Sequence, residues 1–275
     1  MAFMLSYIEK DSPVHRLSGV TKLVIFLLWS IITMAGYDTR IMLGLCAVGL
    51  VMFVISRTRF TEVSFIFKML LFFMALNILA IYVFAPEQGV LIYGTRHVII
   101  QGMGRWTLTA EQLFYEFNII LKYISVVPIA ILLIVTTHPS EFAASLNKIG
   151  VSYTIAFAVS LTLRYIPDVQ RDYKTISQSQ QARGLELSAK ASPIKRLKGA
   201  ANILLPLIFS SLDRIDVISR AMELRGFGKN KKRTWFTDKP FSKADKIILF
   251  MSTLLFGFAL WFTFKDGNRF YNPFQ

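Results

Sequence analysis

Two short stretches of this chain set a lone arginine between an apolar or small residue and a glycine: QQARGLEL at Gln180–Leu187 and MELRGFGK at Met222–Lys229. An arginine so placed offers a planar fork of donors suited to carboxylates and backbone carbonyls in a partner's groove. The simpler alternative is a cation at a helix C-terminus, favoured by the helix dipole by only ~0.3–1 kcal/mol. Occurrence of the arrangement twice favours docking. Other chemistry is thin. GFGKN (Gly226–Asn230) lacks the first glycine and the closing hydroxyl of a phosphate-cradling loop, so ATP is not expected to bind this chain itself. His15, His97 and His138 fall on different segments, and no metal or cofactor site is expected. Asp213 and Asp216 stand at i, i+3, a spacing that would suit a magnesium–diphosphate site; Arg214 and Arg220 beside them point instead to a solvated or salt-bridged face.

The elements that must carry these residues are set by composition. Hydrophobic residues make up 54% of the chain and charged residues 17%, with 24 phenylalanines and a mean hydropathy of +0.49. Soluble domains are nearer a quarter charged, so lipid is read as part of the solvent. The lone cysteine, Cys46, lies in an apolar run and reads as a buried thiol with no disulfide. The N-terminus, MAFMLSYIEKDSP, has no basic leader or small-residue cleavage site and reads as mature sequence.

Crossing a bilayer takes about 20 apolar residues. Five stretches are candidates: Val20–Gly36, Ile41–Ser56, Phe65–Ala85, Leu113–Thr136 and Ile247–Phe264. Between the third and fourth, Pro86–Gln112 is Gly-rich with alternating apolar residues and reads as an outer hairpin or re-entrant loop. The expected fold class is an all-α polytopic membrane protein of about five transmembrane helices plus a cytoplasmic coupling domain of long helices. The expected organisation is 1–136 for the first four spans with outer loop 86–112, 137–246 for the cytoplasmic domain, and 247–275 for the last span and an outer tail. With the N-terminus inside, every basic-rich segment falls on one side, and the opposite loops hold only Arg40, Arg96, Arg105, Lys265 and Arg269. Most of the net charge of +14 therefore belongs to one region, where it suits acidic protein surfaces or lipid headgroups. Asn77, Glu116 and Lys122 are the intramembrane polar residues, expected to snorkel or to pair with another span.

Within 137–246, Thr137–Glu141 reads as a helix start with proline in its first turn, ended by Gly150. A second helix is expected over Ser152–Leu187, with the stripe Ile155, Val159, Leu163, Ile166, Val169, Tyr173 and Ile176 leading to Arg183. A third starts at Ser192-Pro193, with Leu205, Ile208, Leu212, Ile215 and Met222 leading to Arg225. Each stripe is expected to pack on its neighbour. Gly184 and Gly226 suit either close approach or a left-handed helix end. Pro167 and Pro206 should bend the two helices.

Four stretches, in order over most of the chain, make it resemble the transmembrane T components of energy-coupling factor (ECF) transporters, the ABC-type importers of vitamins and transition-metal ions. They are HRLSGVTKLV (His15–Val24), TTHPSEFAASLNKIG (Thr136–Gly150), LRYIPDVQRDYKTISQSQQARG (Leu163–Gly184) and AMELRGFG (Ala221–Gly228). The resemblance implies a non-catalytic scaffold in a prokaryotic cell membrane, with membrane lipid around it. Its coupling helices would dock in two ABC ATPase subunits through Ala182-Arg183-Gly184 and Leu224-Arg225-Gly226. It also implies a small substrate-binding membrane S component as a partner, and no nucleic acid. Leu224 departs from the family's usual alanine before the arginine. The rival reading is a membrane-embedded lipid or prenyl transferase built on Asp213 and Asp216. A permease that binds substrate itself ranks third.

Overall fold

The computed structural model describes residues 10–102, 106–185, 193–229, 234–236, 239–265 and 270–274. The chain divides into two compact units, one of Met1–His138 with Lys239–Gln275 and one of Pro139–Asp238.

The first unit is a helix bundle whose starts are set by short polar residues. Ser12 caps α1 (Pro13–Arg16), Ser18 caps α2 (Gly19–Ala35) and Asp38 caps α3 (Thr39–Ile55), each side chain accepting a backbone N–H of the first turn. α4 covers Phe60–Phe84, and α6 (Ala110–Thr136) starts behind the Thr109 cap. α10 (Lys243–Phe264) opens with a full capping box between Ser242 and Asp245. The stretch after α4 holds a short helix that periodicity did not show, α5 (Gln88–Tyr93), then the expected hairpin of β1 (Val98–Ile100) and β2 (Leu108–Thr109). A methyl group on Gly89 would collide with the Glu111 backbone, so glycine lets α5 lie directly on the start of α6.

α6 packs against α2, α3, α4 and α5, and α10 packs against α2. The core is apolar, with Trp29, Ile32, Leu45, Phe53, Val63, Ile129, Leu132, Val135 and Ala259 buried together. The outward faces are equally apolar: Phe65, Phe72, Phe73, Leu76 and Leu79 on α4, and Phe250, Leu254, Phe258 and Trp261 on α10, are all exposed. In water such surface would be a severe liability; in lipid it is the solvated face. Val63–Phe84, Ala110–Thr136 and Lys243–Phe264 are long and apolar enough to cross a membrane. The other two expected spans are the 17-residue apolar helices α2 and α3. At ~1.5 Å per residue these reach about 26 Å, just under the ~30 Å hydrocarbon thickness.

Polar groups inside this bundle are matched to one another. Trp29 Nε1 donates to Ser125 Oγ at 2.9 Å and Thr39 Oγ1 to Asn118 Oδ1 at 2.7 Å. Glu116 accepts from Gln112 Nε2 at 3.0 Å, and Lys122 lies over the Tyr37 ring, 3.1 Å from its centroid. Lys122 therefore meets the turn between α2 and α3, and Glu116 faces its own helix. Asn77 is half-buried on α4.

The second unit contains α7 (Pro139–Lys148), α8 (Tyr153–Ala182) and α9 (Pro193–Leu224). α7 packs on α8 and α8 on α9. The buried residues of α7 and α8 include the small Ala143, Ala144, Ser145 and Ala156. α8 ends at Ala182, short of the expected Leu187; Glu186–Ser192 lie outside the described residues. The physical reason is Gly184, whose φ of +88° breaks the helical run. Both long helices continue through their prolines, Pro167 and Pro206.

Candidate functional site

Arg183 and Arg225 each occupy the capping position directly after a long helix, and the backbone beyond each folds back in the same way. After α8, Gly184 N–H donates to Gln181 O at 2.9 Å and Leu185 N–H to Gln180 O at 3.0 Å. After α9, Gly226 N–H donates to Glu223 O and Phe227 N–H to Met222 O, both at 2.9 Å. These paired bonds satisfy the last carbonyls of a helix and require a left-handed residue in the glycine position. Gly184 has φ +88° and Gly226 φ +66°. A Cβ built on either glycine would meet nothing within 4 Å. Among the described residues, then, both glycines serve to turn the helix end, and no close approach of a neighbour requires them.

The same turn closes α7, where Gly150 (φ +110°) donates to Asn147 O and Val151 to Leu146 O. There the capping residue is Ile149. The turn itself is thus generic, and the arginine in the capping place is what distinguishes the other two. Ala182, Arg183, Gly184, Leu224 and Arg225 are exposed and Gly226 is half-buried, with Leu224 at 90% relative exposure.

α8 and α9 run past each other in opposite directions. Phe227, just beyond α9, packs on Phe157 in the second turn of α8 with ring centroids 4.6 Å apart. Farther along, Arg214 of α9 pairs with Asp172 of α8 and stands over Tyr165, 5.8 Å from the ring centroid. The second arginine motif is therefore held near the start of α8, and the first caps its end. At ~1.5 Å per residue, the helix between Phe157 and Arg183 spans roughly 40 Å.

An aromatic cluster missed in the sequence fixes the Arg225 end. Tyr153 lies 5.8 Å from Phe227 and 5.4 Å from Trp235, and Trp235 Nε1 donates to Asn147 Oδ1 at 3.2 Å. Its signal was available: Phe227 directly follows the glycine, where an apolar contact commonly accompanies this type of helix end.

The stripes on α8 and α9 do not pack as expected. Ile155, Ile166, Val169 and Tyr173 remain exposed, as do Leu205, Ile208, Leu212 and Ile215. Val159, Leu163, Ile176 and Met222 of the same stripes are half-buried, so α8 and α9 meet along their length without closing over each other. Between them lies an apolar groove of about 600 Å³, lined by residues including Leu161, Ile166, Val169, Ile215, Ile218 and Met222. Asp213 and Asp216 are exposed, and Arg214 turns to Asp172 rather than to either of them. Among the described residues no group of three or more His, Cys, Asp or Glu is placed to hold a metal ion.

Comparison with known proteins covers most of this chain. Residues 10–235 match the family described as CbiQ, cobalt transport protein. The energy-coupling factor transporter transmembrane protein EcfT of Leuconostoc gelidum subsp. gasicomitatum is 24% identical over 273 residues, 93% of this chain and 94% of its own. The Bacillus subtilis protein of the same name is 28% identical over 269 residues, 91% and 96% of the respective chains. That of Streptococcus equi subsp. equi is 26% identical over 279 residues, 96% of each. With its apolar spanning helices, its two long helices and a match over most of its length, the chain belongs to the CbiQ/EcfT family of transport-system membrane proteins.

Proposed function

We propose that this chain is the energy-coupling membrane subunit of an ATP-driven ECF-type importer, set in a prokaryotic cell membrane with its N-terminus cytoplasmic. Two ATPase subunits dock on the second unit, one at Ala182-Arg183-Gly184 and one at Leu224-Arg225-Gly226. Their ATP-driven motion passes through this scaffold to a small substrate-binding membrane subunit that takes up a vitamin or a transition-metal ion. ATP is hydrolysed by the partners, and this chain is non-catalytic.

The observation that carries the reading is the matched pair of glycine-turned helix ends with arginine in the capping place. Each turn presents a guanidinium beside a backbone stripped of Cβ, so a partner can approach closely. The two ends are separated by roughly 40 Å of helix, which supports two docking points rather than one. Exposed Arg164, Arg171, Lys174 and Arg220 on the same helices would steer acidic ATPase surfaces. The uncovered stripes and the groove between α8 and α9 support a further, apolar contact on the second unit.

The test is copurification in mild detergent. Arg183→Glu combined with Arg225→Glu should abolish ATPase association while the chain still inserts, since reversing a docked charge weakens binding by about 3–5 kcal/mol. Asp213→Ala with Asp216→Ala should change nothing. Stoichiometric ATPase in the arginine double variant would defeat the proposal.

A further inference from the structure

The covalent connections between the two units are both fastened to one segment, His15–Lys22, which runs from the end of α1 into the first turn of α2. On the way out, α6 ends at Thr136 and the second unit begins at Pro139. Lys22, with only 6% relative exposure, donates its ammonium to Thr136 O at 2.7 Å. That carbonyl is among the last four of α6, which have no partner within the helix, and it stands at the negative end of the helix dipole. On the way back, Lys239 is the first residue after the second unit, and its Nζ donates to His15 O at 3.3 Å. His15 is itself buried, its Nδ1 2.7 Å from Ser12 Oγ.

Asp245 completes the joint. It is 1% exposed, and its two carboxylate oxygens serve different elements. Oδ1 accepts the Ser18 N–H at the cap of α2 (2.9 Å), and Oδ2 accepts the Ser242 N–H and hydroxyl at the cap of α10 (2.9 and 2.7 Å). Ser18 Oγ also bonds Thr21 Oγ1 at 2.9 Å. The start of α2, the end of α6 and the start of α10 are thus locked by charge-assisted hydrogen bonds in a buried setting, where removing one partner leaves the other charge poorly satisfied.

Resting on the coupling role above, we infer that Lys22 and Asp245 are positioning residues for energy coupling. Their joint makes both connections rigid at their roots, so that displacement of the second unit moves α2, α6 and α10 together. With slack connections, the second unit could shift while the membrane helices stayed in place. The lysine lies six residues after Arg16 yet serves a different purpose, because Arg16 pairs with exposed Asp11 at the surface.

The test is hydrogen–deuterium exchange on the full complex with its ATPases in nanodiscs, with and without ATP plus vanadate. In the unsubstituted complex, nucleotide should alter exchange both in α8 and α9 and at the starts of α2 and α10. Lys22→Met and Asp245→Asn should each keep ATPase copurification and the nucleotide response of α8 and α9, but lose the response in α2 and α10. In both variants, exchange at Thr137 and His138 or at the first turn of α10 should rise about tenfold, as expected for loss of a charged hydrogen bond. Lys22→Arg, which keeps a buried donor, should restore the response and guards against misfolding of the methionine variant. An undiminished α2 and α10 response in Lys22→Met or Asp245→Asn would overturn the inference with the coupling role intact. Failure of ATPases to copurify with the unsubstituted chain would overturn both.

Discussion

Arg183 and Arg225 are equivalent residues in a structural sense: each directly follows the last residue of a long helix and precedes a left-handed glycine, with the same pair of backbone bonds folding the chain back. Their surroundings differ. Arg225 is followed by Phe227 packed on Tyr153 and Phe157, whereas Arg183 is followed by half-buried Leu185. Equivalent ends with different anchoring suggest distinct experiments on each.

Gly184→Ala and Gly226→Ala test the backbone turn by itself. Nothing stands where the new methyl would go, so the whole effect is the strain of an L residue at positive φ, about 1 kcal/mol. Each should weaken ATPase binding by about fivefold, read by titration of the purified chain with ATPase. Gly150→Ala carries the same strain at a turn without arginine and should leave that affinity unchanged.

Leu224→Ala tests the departure from the family's usual residue. Leu224 is 90% exposed, so thermal stability in detergent should stay within ~0.5 kcal/mol. If the side chain is covered on docking, ATPase affinity should fall by about tenfold or more, since burying a leucine is worth about 1.5–3 kcal/mol. Unchanged affinity would place Leu224 outside the contact.

Phe227→Ala should loosen the Arg225 end while leaving the Arg183 end in place. It removes contacts to Tyr153 and Phe157, with an expected destabilisation of about 1–3 kcal/mol confined to this end. Limited trypsin digestion should show faster cleavage after Arg225 and an unchanged rate after Arg183.

Gly89→Ala probes the first unit. Its methyl would meet the Glu111 backbone, which cannot rotate away, and Gly89 N–H would lose its 2.9 Å bond to Gln112 Oε1. The expected outcome is a loss of about 2–3 kcal/mol, seen as a lowered Tm, with ATPase binding per folded molecule unchanged.

The sequence by itself determined the five apolar helices, the short helix started by Pro139, the long helix started by Pro193 and the two arginine–glycine pairs. These features are local. Apolar run length reports a lipid environment, and glycine and proline punctuate helices through their own backbone preferences, whatever lies around them. Tertiary structure decided which groups meet. Asp245 lies just before the last apolar run in the sequence, and only the fold brings the N–H of Ser18, more than two hundred residues away, to its carboxylate. Nothing local to Lys22 marks it out either; only the fold sets the end of α6 against its ammonium. The stripes on α8 and α9 were real in the sequence, but the expectation that they cover each other failed. Periodicity gives the direction a face points and says nothing of what stands opposite or how closely it approaches; here residues of both stripes line a groove that stays open.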